Sequence, residues 1–104
     1  DYLYVSDVAA GIASVLEKGR LAETYNLGSG IGVSNREILA AITPMLRESG
    51  CEVRVQQFAE RKFDVKVNIL DSTKLQTHTG WQPRIAWSEG LRRTYVWLRT
   101  LTNE

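Results

Sequence analysis

The sequence predicts a small mixed α/β fold, with about three longer helices and short strands between them. Three observations predict it. Apolar residues recur at helical spacing in three stretches that open on Ser or Asp, while valines alternate with polar residues at 51–58 and 65–70. Between the first two helical stretches, "YNLGSGIG" joins a short apolar run to a glycine-rich turn.

Taken in order, Tyr2, Leu3, Tyr4 and Val5 suit a strand, and Ser6 or Asp7 is placed to cap the helix that follows. That helix is expected to bury Val8, Ile12, Val15 and Leu16 on one face and to stop at Gly19. "ETYNL" (23–27) reads as a short strand. The second helix starts at Ser34, whose hydroxyl and the Glu37 carboxylate form an S-x-x-E capping box. Its stripe is Ile38, Leu39, Ile42, Met45 and Leu46, with Pro44 kinking or tightening the last turns before Gly50. "CEVRVQQF" (51–58) and "VKVNIL" (65–70) read as half-buried strands. Asp71 or Ser72 caps a short helix carrying Leu75 and ended by Gly80, and Ser88 caps a final helix with Leu91, Tyr95, Leu98 and Leu101 on one side.

The 104 residues suit one small domain. A net charge of +1 lacks the basic excess that a nucleic-acid partner demands. No apolar run approaches the roughly 20 residues of a membrane span, and no signal-peptide pattern opens the chain. Cys51 is the single cysteine and has no partner for an internal disulfide, so a cytoplasmic location is expected. The chain begins at Asp1 inside a strand-like stretch, which suggests a piece of a longer protein.

The glycine turn raises the question of a dinucleotide site. That fingerprint needs Gly at relative positions 1, 3 and 6, and counting from Gly28 the third falls on Val33. A tight turn feeding a capped helix is the plainer reading, and a backbone lining a site for another ligand stays open. In "RKFDVKVNILD", Arg61 and Asp64 could clamp a diphosphate and a ribose diol together, or form a surface ion pair. Lys62 reads as a solvated charge. Trp81, Trp87 and Trp97 read as core packing. His78 and Cys51 show no metal-ligand spacing, and Ser29 lies outside any G-x-S-x-G elbow.

In order and spacing, "DYLYVSDVAAGI", "YNLGSGIGVSNREIL", "RKFDVKVNILDSTKL" and "TGWQPRIAWSEGLRRTYVWL" span nearly the whole chain. Together they resemble the C-terminal substrate-binding part of the extended short-chain dehydrogenase/reductase superfamily, the NAD-dependent nucleotide-sugar epimerases and dehydratases, such as UDP-glucose 4-epimerase-like enzymes. The resemblance implies a substrate lobe that closes over a nucleotide-diphosphate sugar. It also implies four substrate contacts: Tyr2 beside the nucleotide, Ile31 after the glycine turn, Arg61 on the diphosphate and Asp64 on the ribose hydroxyls. The family's "R-P-G-D" is here "R-K-F-D", without the Pro-Gly turn.

The family's catalytic pair is Tyr-x-x-x-Lys, yet the four tyrosines here are followed four residues on by Ser6, Val8, Ser29 and Arg99. The resemblance therefore implies a fragment, residues 1–104, that is inactive alone. Its NAD and its catalysis would belong to a Rossmann half absent from the chain, which would also be its missing partner. Alone, the fragment is expected to self-associate as a homo-oligomer. The parent reaction would pass through a transient 4-keto sugar, and "FDVKVNILD" inclines slightly towards epimerases or reductases over other dehydratases. Two alternatives are a stand-alone, non-catalytic binding or association module and a small dinucleotide-binding protein.

Overall fold

A computed structural model describes residues 1–102, the side chain of Thr102 excepted. It contains four helices in chain order: α1 (Val5–Lys18), α2 (Asn35–Glu48), α3 (Thr73–Thr79) and α4 (Trp87–Thr102). Helix α1 packs on α3, and α2 packs on α4.

Among the described residues there is no strand, which corrects the α/β expectation. Val5 opens α1 rather than closing a strand, and 23–27, 51–58 and 65–70 run without a ladder. Alternating valines specify a pleated backbone, but extended backbone becomes a strand only when a neighbour takes its N–H and C=O groups. No described segment supplies that neighbour here. Apolar side chains along these runs consequently face outward, Phe58 being 81% and Val65 75% exposed.

Helix ends follow the expected chemistry in part. The Ser34 hydroxyl accepts from the Glu37 N–H at 3.1 Å and caps α2. Pro44 lies inside α2, which continues to Glu48, and Gly50 turns the chain at φ +81°. Helix α1 instead starts on Tyr4, with no side-chain cap, and α4 begins at Trp87, one residue before the expected cap at Ser88.

The buried line of α1 also differs from the expected stripe. Asp7 and Gly11 face inward, whereas Ile12 and Leu16 are exposed. A Cβ at Gly11 would collide with Leu27 and press on Trp81, so the missing side chain is what allows that approach. The Trp81 indole N–H donates to the Asp7 carbonyl at 3.1 Å, and the Asp7 carboxylate accepts from the backbone of Arg84 and Ile85. Leu75 is wholly buried, and Gly80 ends α3 as expected, in the left-handed region at φ +76°.

Helices α2 and α4 are joined by Tyr95, whose hydroxyl donates to the Met45 carbonyl at 3.1 Å and lies 2.8 Å from the Ser49 hydroxyl. Trp81 is buried and Trp87 half-buried, but Trp97 is 58% exposed, contrary to the core role expected for all three. The radius of gyration is 16.9 Å, against about 13 Å for a compact domain of this size. Leu75 and Trp81 are accordingly the only large hydrophobic side chains buried among the described residues.

Candidate functional site

The glycine turn is held from outside itself. The Gly28 N–H donates to the buried Ser72 hydroxyl at 2.9 Å, and that hydroxyl donates back to the Gly28 carbonyl at 3.0 Å. The Asp1 carboxylate takes the next two amides, Ser29 N–H at 2.9 Å and Gly30 N–H at 3.1 Å. It also accepts from the Ser29 hydroxyl at 2.7 Å and from the Leu70 N–H at 3.0 Å. Ile31 closes the set by donating its N–H to the Ser29 oxygen at 3.1 Å.

Four consecutive amides, Gly28 to Ile31, are thus satisfied by the protein's own oxygens. In a dinucleotide fold such amides are left to cradle a phosphate. Here the Asp1 carboxylate takes two of them and the Ser72 and Ser29 hydroxyls the other two. Glycine is required on two separate grounds. Gly30 adopts φ +75°, and a Cβ at Gly28 would come within 2.7 Å of Leu70 Cβ and 2.8 Å of Asp1 Oδ2.

The expected site residues fall into two pairs. Tyr2 follows the clamping Asp1 and lines an apolar cleft of about 320 Å³ with Leu3, Tyr4, Ile38, Trp87 and Leu91. Ile31 leaves the same turn 58% exposed. Arg61 and Asp64 share a separate turn, closed by the Asp64 N–H donating to the Arg61 carbonyl at 3.3 Å. Both side chains are exposed and no ion pair joins them, so the surface ion pair that their spacing allows is not formed. Lys62 is exposed, as a solvated charge would be.

Asp1 was not legible as part of this arrangement, because its amide partners lie 28, 29 and 69 residues away. His78 is likewise engaged at long range, its Nδ1 lying 2.7 Å from the Tyr25 hydroxyl, which accepts from the Arg20 N–H. Beside them Lys74 pairs with Glu23, and that contact holds the Glu23 carboxyl below the usual carboxylate range. No group of His, Cys, Asp and Glu among the described residues could hold a metal ion. No helix there is long and apolar enough to cross a membrane.

Residues 1–94 match the family model described as GDP-mannose 4,6 dehydratase. The chain belongs to this family. A dTDP-glucose 4,6-dehydratase from Xanthomonas campestris is 34% identical over the whole chain, and the human dTDP-D-glucose 4,6-dehydratase is 27% identical over 95% of it. Among solved structures, a UDP-glucose 4-epimerase from Thermotoga maritima with UDP-glucose superimposes at a TM-score of 0.85, with 32% identity over 97% of the chain. RMD from Pseudomonas aeruginosa, complexed with NADPH, gives 0.75 at 27% identity over 88%. The chain spans 31% of the Xanthomonas relative, 29% of the human one, 31% of the epimerase and 30% of RMD. Dehydratase and epimerase relatives thus both match, at 34% and 32% identity.

Proposed function

We propose that this chain is the sugar-nucleotide-binding portion of an NAD-dependent epimerase or dehydratase, and that it lies C-terminal to a cofactor-binding half outside these 104 residues. The observation that carries the reading is the Arg61–Asp64 turn. It carries an exposed arginine and an exposed aspartate three residues apart on one turn, not paired with each other, in a chain whose relatives include a 4-epimerase solved with UDP-glucose.

A guanidinium matches two phosphate oxygens at once, while a carboxylate accepts from vicinal ribose hydroxyls. Arg61 therefore grips the diphosphate and Asp64 the ribose. Tyr2 and Ile31 add apolar contact on either side of the clamped turn. Binding of this kind holds the sugar in place for oxidation at C4 by a cofactor carried elsewhere. NAD supplies the hydride acceptor in such a parent, and nothing in this chain's glycine turn is free to hold it.

Calorimetry with dTDP-glucose, UDP-glucose and GDP-mannose tests the reading. Binding of one of the three that is lost on Arg61→Ala supports it; absence of binding to all three favours a stand-alone association module. The sequence encoded upstream of Asp1 gives a second test. A Gly-rich turn and a Tyr-x-x-x-Lys pair are expected there, and their absence would overturn the placement.

A further inference from the structure

We propose that Asp1 and Ser29 are positioning residues that set where Ile31 stands, an assignment that rests on reading Ile31 as a sugar-nucleotide contact. Ile31 is more than half exposed, so little packing fixes it. Its backbone N–H is fixed by the Ser29 oxygen at 3.1 Å.

A hydroxyl has one proton and two lone pairs. The Ser29 proton has two candidate acceptors, Asp1 Oδ1 at 2.7 Å and the Ile31 carbonyl at 3.3 Å, and the nearer, charged one takes it. A lone pair then faces the Ile31 N–H. Asp1 thus aims the hydroxyl, and the hydroxyl aims Ile31. The left-handed Gly30 between them lets the chain double back far enough for residue 31 to meet the side chain of residue 29.

The same carboxylate also accepts from Leu70 N–H, in the stretch that runs back towards Arg61 and Asp64. One residue therefore ties the turn that carries Ile31 to the segment that follows the diphosphate clamp. Ser29 is the link that can be cut without loosening that tie, because the three amides on Asp1 do not involve its side chain.

The test compares Ser29→Ala, Ser29→Thr and Asp1→Asn with the unaltered chain. Amide and methyl NMR follow Ile31, and calorimetry uses the sugar nucleotide that binds best among the three named above. Ser29→Ala should shift the Ile31 amide resonance, speed its hydrogen exchange and weaken binding roughly two- to tenfold, as expected for one hydrogen bond. Ser29→Thr, which keeps the hydroxyl, should restore both, and Asp1→Asn should move Ile31 in the same sense as Ser29→Ala.

An Ile31 amide unchanged in Ser29→Ala overturns the proposal. So does unchanged affinity in a chain that binds sugar nucleotide and loses it on Arg61→Ala. If the unaltered chain binds none of the three, the proposed function fails, while the Ile31 resonances still decide the positioning.

Discussion

Replacing Asp7 by alanine should loosen the joint between α1 and the loop before α4. Asp7 is 4% exposed, and its Oδ2 accepts from Arg84 N–H at 3.1 Å and Ile85 N–H at 2.9 Å. Hydrogen bonds to a charged group contribute about 1.5–3 kcal/mol each, and the exposure of Arg84 favours the lower figure. Two such bonds give a loss of about 3 kcal/mol in Asp7→Ala. At about 4–8 °C per kcal/mol, the melting midpoint should fall by about 12–24 °C. Asp7→Asn should cost only about 1 kcal/mol, because one amide oxygen can accept both N–H groups that Oδ2 now accepts. Urea unfolding followed by tryptophan fluorescence is the assay, since Trp81 donates to the Asp7 carbonyl and senses the joint directly. An Asp7→Ala loss below about 1 kcal/mol, or an Asn variant as damaged as the Ala one, would refute this account.

Two further outcomes follow from the geometry. Hydrogen bonds from Arg92 and then Arg93 hold the Glu89 carboxyl down at about 2 from an ordinary 4.5. Because the folded value is the lower one, this stabilisation is present above pH 4.5 and fades as the pH falls towards 2; a carboxyl carbon titration of Glu89 by NMR with its midpoint near 4.5 would contradict the contact. Gly30→Ala should cost about 1–2 kcal/mol through its left-handed backbone alone, since its Cβ would meet only the Leu70 carbonyl at 3.9 Å. Gly28→Ala should cost more, because its Cβ would strike Leu70 and Asp1; equal melting midpoints for the two variants would argue against the close approach.

What the sequence made legible was what neighbours in sequence decide. The Ser34 cap and the Gly80 stop each depend on residues within one helical turn, and both stand as expected. The strands failed for the opposite reason: alternation at 51–58 and 65–70 records which side of a ribbon is apolar, not whether a second ribbon lies beside it. On α1 the apolar stripe pointed to Ile12 and Leu16, but the inward line is Asp7 and Gly11, the glycine letting Trp81 approach and the Asp7 carbonyl accepting its indole N–H. At the candidate site, spacing could single out Arg61 and Asp64 because they share one turn, whereas Asp1 is seen only where distant segments meet.

The clamp on the glycine turn also bears on the order in which the chain folds. The Ser34 cap closes over three residues and can form as soon as α2 nucleates. The Ser29 and Gly30 amides of the preceding turn need Asp1, 28 and 29 residues back, and the Gly28 amide must wait for Ser72, 44 residues on. Closing so long a loop carries an entropic penalty that only later contacts offset. During synthesis, then, the stretch that looks most local on the page is among the last to settle, and α2 hangs from an unfinished hinge until residue 72 has emerged.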